Sequence, residues 1–184
     1  MTDQESLAAL LRERSIRFGD FELASGQRST FYIDARKTTM SAPGQLLVGR
    51  LGLSRIREAG WSPDAVGGLT LGADPVAYAI ARASMDRPPE IHAFSVRKAA
   101  KQHGTRSRIE GNFSAGIRVV IVEDVITTGK STLEAIQTVR DEGGEVLGVL
   151  ACVDRLQGGV AAIAGQAGIQ VVVITTIIDL GVKP

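Results

Sequence analysis

The chain has 184 residues, 44% of them hydrophobic, which is enough for one globular domain with its own core. Its formal net charge of +1 excludes a whole-protein field that would attract nucleic acid or a membrane surface, so any basic site must be local. The single cysteine, Cys152, excludes an internal disulfide and a cysteine-based zinc cluster, and its apolar neighbours predict a buried thiol. No apolar stretch approaches the roughly 20 residues of a membrane span, and the polar N-terminus lacks a signal-peptide core. We therefore expect a cytoplasmic protein with a single domain over residues 1–184.

The N-terminal part combines one helical pattern with a small aromatic segment. Leucines recur at helical spacing between Ser6 and Arg14, which predicts an amphipathic helix. Residues 18–34 are typical of two short strands around a glycine turn, and they contain three of the five phenylalanines of the chain. This segment predicts a flap with a small hydrophobic core of its own, which we call the hood and assign to residues 15–40.

The rest of the chain alternates between apolar runs and helical patterns. The apolar runs predict strands at 65–69, 91–96, 118–125, 146–153 and 170–174. The helical patterns cover Pro43 to Ala59, Val76 to Ala83, Thr132 to Arg140 and Gly159 to Ala167. Such alternation predicts an α/β fold, with a mostly parallel central sheet flanked by helices and the hood laid over the strand ends. The turns after the strands then converge at the carboxyl edge of the sheet, where ligands of such folds bind.

The stretch from Val119 to Ser131 is the most informative of the chain. It opens as an unbroken apolar run that is followed by the acidic pair Glu123 and Asp124. Residues 127–131, which we call the phosphate loop, then lead into a helical pattern. Free backbone N–H groups and the helix dipole at such a junction favour a bound phosphate. Two carboxylates beside a phosphate need hydroxyl groups or a divalent cation as partners, which a sugar phosphate and a Mg²⁺–pyrophosphate group supply.

Two other interpretations of this stretch are open. Residues 129–131 match the end of a nucleotide-binding P-loop, but that motif requires a glycine where this chain has Asp124. The acidic pair is also compatible with a polar strand end followed by an ordinary turn. Two acids that close a fully apolar strand before a threonine-rich turn favour the phosphate site over both.

A local cluster of positive charge follows the strand predicted at residues 91–96. Residues 97–108 contain five Lys or Arg and one His, with no acid before Glu110, and we call residues 97–109 the basic loop. A solvated loop or a weak nucleic-acid patch is the plainer interpretation, but no aromatic side chain is interleaved to stack on bases. A lid that closes on polyphosphate fits better, because a pyrophosphate leaving group needs several positive charges and the exclusion of water.

The stretch from Val119 to Ser131 closely resembles the signature of the phosphoribosyltransferases, which bind 5-phosphoribosyl 1-diphosphate (PRPP). Two further segments resemble the orotate phosphoribosyltransferases in particular. The spacing of the basic side chains from Arg97 to His103 matches their catalytic loop, and residues 25–34 match their N-terminal hood segment. The resemblance implies the transfer of ribose 5-phosphate from PRPP to orotate, giving orotidine 5′-phosphate and pyrophosphate on the route to UMP.

The resemblance also implies roles for individual residues. The implied catalytic residues are Lys101, His103 and Asp124. The implied PRPP-binding residues are Arg97, Lys98, Lys101, His103, Glu123, Asp124, Val125, Ile126, Thr127, Thr128, Gly129, Lys130, Ser131, Leu71 and Gly72. The implied orotate-binding residues are Thr127, Arg155, Tyr32 and Ile33, with the Arg155 guanidinium suited to the planar carboxylate. Mg²⁺ is the implied cofactor, held mainly through PRPP, and a homodimer is implied in which the basic loop reaches the partner's active site; we expect no nucleic-acid or membrane partner.

The sequence departs from the family pattern at two positions. Many members carry a lysine at the position of Ala24 and some carry one at Gly72, so two positive charges are missing. Plainer alternatives exist for Arg155, which could pair with a nearby acid, and for residues 71–72, which could form an ordinary turn. A phosphoribosyltransferase for a purine or uracil would keep the central motif without needing Arg155. A PRPP-sensing regulator would need a basic nucleic-acid surface beyond one loop.

Overall fold

The computed structural model describes residues 1–22, 28–99 and 107–182. The helices are α1 Asp3–Ser15, α2 Arg36–Thr39, α3 Ala42–Glu58, α4 Ala73–Asp86, α5 Lys130–Asp141 and α6 Gly159–Ala167. The strands are β1 Ile16–Glu22, β2 Arg28–Ile33, β3 Ala65–Leu69, β4 His92–Val96, β5 Ile109–Gly111, β6 Arg118–Ile126, β7 Glu145–Asp154 and β8 Val171–Thr176. No helix within the described ranges has both the length and the apolar character needed to cross a membrane.

Six strands form the central sheet in the order β5-β4-β3-β6-β7-β8. Every neighbouring pair is parallel except β4 and β5, which are antiparallel. The predicted α/β fold with a mostly parallel sheet is confirmed, and each predicted strand lies within two residues of its observed bounds. The antiparallel strand β5 was not predicted, because its three residues are too short to show a periodic pattern.

Helices cover both faces of the sheet, and each face has its own hydrophobic core. Val120 and Val122 of β6 belong to the core shared with α1, α3 and α4, whereas Val119 and Ile121 belong to the core shared with α5 and α6. Burial on both faces explains why this strand is an unbroken apolar run rather than an alternating one. Cys152 is fully buried in the first core, as predicted, and burial raises the pKa of its thiol to about 12.

Local signals explain where two of the helices begin. Ser41 caps α3, since its Oγ accepts a hydrogen bond from the Gly44 N–H, and a proline occupies the first turn. Helix α4 begins at Ala73, three residues before the predicted start at Val76. The prediction was wrong here because Asp74 and Pro75 looked like turn residues, although both suit a first helical turn.

The predicted hood is a separate two-stranded antiparallel sheet of β1 and β2, followed at once by α2. Phe31 and Ile33 of β2 are buried in the core that also contains α1, while Tyr32 between them is 41% exposed. This alternation anchors one side of the hood and leaves the other side at the surface. Residues 23–27, which include Ala24, lie outside the described residues.

Candidate functional site

A cavity of about 310 Å³ opens at the carboxyl edge of the central sheet, between the strand ends and the hood. We call it the strand-end cavity. Its lining residues are Tyr32, Ile33, Asp34, Ala35, Arg36, Leu69, Thr70, Leu71, Gly72, Lys98, Glu123, Asp124, Val125, Thr127, Ser131 and Arg155. A larger cavity of about 460 Å³ lies between α3 and α4, but none of the predicted site residues lines it.

The acidic pair ends the apolar part of β6 and lies at the floor of the strand-end cavity. The Glu123 side chain is 5% exposed, and its Oε2 accepts hydrogen bonds from Ser131 Oγ at 2.6 Å and Thr132 Oγ1 at 3.1 Å. Burial raises the pKa of Glu123 to about 7, and the charge of Asp124 and its hydrogen bond add to this effect. Glu123 therefore connects the end of the strand to the first turn of α5.

Asp124 contacts the turn that follows β3. Its Oδ1 accepts a hydrogen bond from the Val125 N–H at 2.8 Å, and a Cβ atom at Gly72 would lie only 2.6 Å from the same oxygen. A side chain at position 72 would therefore displace this carboxylate. Burial raises the pKa of Asp124, while its hydrogen bond with Glu123 and the charge of Arg36 oppose the shift.

The phosphate loop depends on two glycines that approach each other closely. Gly129 has φ = 82°, a left-handed conformation that favours glycine, and it directly precedes α5. A Cβ atom at Gly159, the first residue of α6, would lie 2.6 Å from the Thr127 carbonyl oxygen and 2.9 Å from the Gly129 nitrogen. The start of α6 thus packs against the backbone of the phosphate loop and supports it. The first N–H groups of α5 have no acceptor within their own helix. Such a helix start favours a phosphate.

Arg155 follows β7 and is almost completely buried, with 6% exposure. Its Nε and Nη2 are buried and have no hydrogen-bond partner among the described residues. None of the ion pairs between described residues includes Arg155, so the alternative in which it pairs with a neighbouring acid has no support. Burial lowers the pKa of this guanidinium. Guanidinium nitrogens that are buried without a hydrogen-bond acceptor among the described residues are costly for the fold, and a carboxylate entering the strand-end cavity is the acceptor that would satisfy them.

The turn after β7 orients this arginine. Asp154 Oδ1 accepts a hydrogen bond from the Leu156 N–H at 2.8 Å, across Arg155. Leu156 has φ = 56°, which is uncommon for a residue with a side chain. Unusual backbone conformations of this kind occur where a site is held in a defined geometry.

Eleven of the predicted site residues line the strand-end cavity, whereas Arg97, Ile126, Thr128, Gly129 and Lys130 are described but do not line it. The Nη1 group of Arg97 donates a hydrogen bond to Glu110 Oε1 at 3.3 Å, and the Ile126 side chain is packed in the second core. Lys101 and His103 belong to residues 100–106, which lie outside the described part of the chain. Their predicted roles, like those of all the site residues, remain predictions.

The cavity is also lined by residues that the sequence analysis did not select, namely Asp34, Ala35, Arg36, Leu69, Thr70. An acid and a base two residues apart, directly after the aromatic strand of the hood, were the available signal for Asp34 and Arg36. Such pairs are common on protein surfaces, so the sequence alone did not distinguish this pair from a solvated one.

The carboxylates of this cavity suit a magnesium ion that enters with a phosphate compound. Among the described residues, no group of three His, Cys, Asp or Glu side chains is arranged to hold a metal ion. Mg²⁺ commonly binds through one or two carboxylates together with substrate phosphates and water. Asp34 and Asp124, which both line the cavity, are the protein groups that fit such an ion.

The strand that ends in two acids, the glycine-bearing loop at a helix start and the cavity over the strand ends fit the phosphoribosyltransferase pattern that the sequence resembles. Residues 43–182 match the family described as the phosphoribosyl transferase domain. The chain therefore belongs to the phosphoribosyltransferases, and the relatives described next place it within their orotate phosphoribosyltransferase family.

The individual relatives cover almost the whole chain. An orotate phosphoribosyltransferase of Aquifex aeolicus is 45% identical over 162 residues, which are 86% of this chain and 87% of the relative. The crystal structure of Mycobacterium tuberculosis orotate phosphoribosyltransferase in complex with Fe(III) dicitrate has a TM-score of 0.87 and 44% identity, and the similarity covers 98% of this chain and 100% of that one. A crystal structure of the same enzyme in complex with PRPP has a TM-score of 0.81 and 40% identity, with 98% and 100% covered.

Proposed function

We infer that the protein transfers the ribose 5-phosphate group of PRPP to orotate and releases orotidine 5′-phosphate and pyrophosphate. This pentosyltransferase reaction belongs to pyrimidine synthesis and precedes the formation of UMP. One observation carries the choice of orotate: the Arg155 guanidinium, whose Nε and Nη2 are buried without a hydrogen-bond partner among the described residues, lines the same cavity as the acidic pair and the phosphate loop. The arginine suits a planar carboxylate, whereas the other two features suit a ribose 5-phosphate.

The reaction requires no nucleophilic side chain, because a ring nitrogen of orotate attacks the anomeric carbon of PRPP. A carbon–nitrogen bond forms as the bond from that carbon to the diphosphate oxygen breaks, the nitrogen loses its proton to the released pyrophosphate or to water, and the transition state carries positive charge on the ribose. We propose that Asp124 accepts hydrogen bonds from the ribose hydroxyls and that its charge favours this transition state. Glu123 supports it through the hydrogen bonds that connect the strand to α5.

The 5′-phosphate is proposed to bind at the phosphate loop. The backbone N–H groups at the start of α5, including that of Ser131, and the hydroxyls of Thr127 and Thr128 provide donors there, while the Ser131 hydroxyl donates to Glu123. The left-handed Gly129 and the close contact with Gly159 fix the loop in advance, which reduces the entropy lost on binding.

Orotate is proposed to bind between Arg155 and the hood, with contacts from Thr127, Tyr32 and Ile33. Uracil and the purines lack the carboxylate of orotate. If one of them occupied the cavity, the Arg155 guanidinium would be buried without a partner, and a site with an unsatisfied polar group rejects such a ligand strongly.

The diphosphate is proposed to meet Lys98 and the cations of the basic loop, Arg97, Lys101 and His103, of which Lys101 and His103 are assigned from the sequence alone. Mg²⁺, when bound with PRPP, neutralises part of the charge of the leaving group. We also propose a cytoplasmic homodimer in which the basic loop of one copy reaches the strand-end cavity of the other, while Lys98, at the start of the loop, lines the cavity of its own copy. The resemblance of the loop from Arg97 to His103 supports this arrangement.

The function is tested by measuring pyrophosphate release from PRPP and Mg²⁺ in the presence of orotate, uracil, adenine or hypoxanthine. We expect release with orotate and at least a hundredfold slower release with the other bases. Equal release with uracil or a purine would identify a phosphoribosyltransferase for that base. PRPP binding without turnover of any base, together with binding to DNA or RNA, would identify a regulator instead.

A further inference from the structure

The strand-end cavity has one cation that the proposed mechanism does not use. Three cationic side chains line it within the described residues, namely Arg36, Lys98 and Arg155. Arg155 is assigned to the carboxylate of orotate and Lys98 to the diphosphate. Arg36 comes from the hood, at the first position of α2, and has no role so far.

One hydrogen bond to a described residue holds the Arg36 side chain in place. Its Nε donates a hydrogen bond to Asp34 Oδ1 at 2.8 Å, and the residue between them, Ala35, is 1% exposed and fixes the backbone. Neither Nη group makes a hydrogen bond to a described residue, and the side chain remains 43% exposed. The guanidinium therefore presents its two terminal nitrogen groups as donors, with an orientation set by Asp34.

The neighbours of Arg36 show which corner of the strand-end cavity it occupies. Its charge acts on Asp124, and Asp124 in turn contacts Gly72 in the turn after β3. Arg36, Asp124 and residues 70–72 thus form one corner of the strand-end cavity. The turn supplies no cation of its own to this corner, because Thr70, Leu71 and Gly72 are uncharged.

The chemistry of PRPP determines which of its groups reaches that corner. The 5′-phosphate and the diphosphate are attached on opposite sides of the ribose ring, and the two hydroxyl groups lie along one edge between them. With the 5′-phosphate at the phosphate loop and the hydroxyls at Asp124, we infer that the diphosphate extends away from the loop toward the corner formed by Arg36, Asp124 and residues 70–72.

We propose that Arg36 is a diphosphate-binding residue, which uses its two Nη groups, unbonded among the described residues, on the leaving group of PRPP and on released pyrophosphate. This proposal rests on the proposed function of the same site. A guanidinium is suited to phosphate oxygens because it donates two parallel hydrogen bonds, and it stays charged at every relevant pH. The hood thereby supplies a positive charge at this corner of the cavity, where residues 70–72 carry none.

The test compares ligands that do and do not contain the diphosphate. Binding of PRPP, of pyrophosphate with Mg²⁺ and of orotidine 5′-phosphate is measured by calorimetry for the wild type and for Arg36→Gln. The control is Arg118→Gln, because Arg118 pairs with Asp64 at 3.0 Å and has a similar side-chain exposure of 47%, but does not line the cavity. We expect Arg36→Gln to weaken the binding of pyrophosphate and PRPP by about tenfold or more. The affinity for orotidine 5′-phosphate should change less than about twofold, which also shows that the variant is folded.

Two results would overturn the assignment of Arg36. Unchanged pyrophosphate and PRPP binding in Arg36→Gln would exclude a contact with the diphosphate. An equal loss for orotidine 5′-phosphate would mean that Arg36 acts on the ribose through Asp124. Failure of the proposed function looks different: the wild type would then bind pyrophosphate through Arg36 but turn over no orotate, and the assignment would survive. A wild type that bound neither ligand would overturn both.

Discussion

The guanidinium of Arg155 lies over the ring of Phe31, with the arginine Cζ 4.9 Å from the ring centroid. Both side chains are buried, with 6% and 4% exposure, and they come from β2 of the hood and from the turn after β7. The hood and the central sheet therefore meet at the side chain proposed to bind orotate. A flat aromatic surface beneath a guanidinium restrains its plane and stabilises its charge.

Replacement of the Phe31 ring should weaken the binding of orotate and have much less effect on the binding of PRPP. A cation–π contact contributes about 0.5–2 kcal/mol, so we expect Phe31→Leu to raise the KM for orotate by about 2- to 30-fold. The KM for PRPP should change less than about twofold, because the ring does not line the cavity near the acidic pair. Steady-state kinetics with each substrate varied in turn measures both. Phe113→Leu is the control, since Phe113 also contacts an aromatic ring, Phe94, at 5.6 Å but lies in the other core. Equal orotate KM values for Phe31→Leu and the wild type would contradict the role of the ring.

The buried Glu123 should make the unliganded protein less stable as the pH rises. Its ordinary pKa of 4.5, which applies to the unfolded chain, is raised to about 7 in the folded protein by burial. The folded state keeps a proton that the unfolded state has lost, so the free energy of unfolding falls between about pH 4.5 and pH 7 and stays low above that. The full effect is on the order of 3 kcal/mol, and Glu123→Gln should remove it.

The measurement is denaturant unfolding of wild type and Glu123→Gln without ligand at pH 5 and pH 8. We expect the variant to gain stability relative to the wild type between these two values while it loses activity. Glu13→Gln, at an exposed position of α1, should leave the profile unchanged. If Glu123→Gln follows the same pH profile as the wild type, the buried proton is not present.

The support of the phosphate loop by α6 can be tested with two alanines in one helix. A Cβ atom at Gly159 would meet the Thr127 carbonyl oxygen at 2.6 Å, whereas a Cβ at Gly165 would have no heavy atom within 4 Å. We expect Gly159→Ala to lower the free energy of unfolding by about 1–3 kcal/mol. It should also raise the KM for PRPP about tenfold through displacement of the loop.

Gly165→Ala is the matched control, and alanine at an open helical position is expected to be neutral or to stabilise by about 0.5–1 kcal/mol. Thermal unfolding and the KM for PRPP provide the two readouts. The proposed support of the loop would be wrong if the two alanine variants behaved alike.

The shared active site of the proposed homodimer predicts complementation between two inactive variants. Lys101→Ala removes a cation of the basic loop and should lower kcat by orders of magnitude with little effect on folding, and Arg155→Gln removes the orotate contact. In a mixed dimer, one site receives both defects and the other receives neither, if the loop of each copy serves its partner. Random mixing of equal amounts should then restore about a quarter of the wild-type activity. Activity that stays at the level of the separate variants would show that each loop serves its own subunit.

The sequence predicted the central sheet well because its strands are parallel and buried on both faces. Strands of this kind are short apolar runs, and β6 is recognisable without any tertiary information. The motif after β6 is local, so its acids and its loop were also predictable. Short elements such as α2 and β5 gave no periodic signal, and their presence depends on packing against neighbours.

The arrangement of the side chains within the site could not be predicted from the sequence. Phe31 and Arg155 are far apart along the chain, and only the folded hood brings the ring beneath the guanidinium. The sequence also showed Asp34 and Arg36 as an ordinary charged pair, and it gave no information on which nitrogen atoms the pairing would leave available. Contacts of this type are set by tertiary packing rather than by local patterns.

A crystal structure of the protein with orotidine 5′-phosphate bound would show whether the strand-end cavity holds the nucleotide as proposed. We expect the orotate carboxylate within about 3 Å of the Arg155 guanidinium, the ribose hydroxyls at Asp124 and the phosphate at the backbone N–H groups of residues 129–131. A nucleotide bound outside the strand-end cavity, or one whose carboxylate points away from Arg155, would contradict the account.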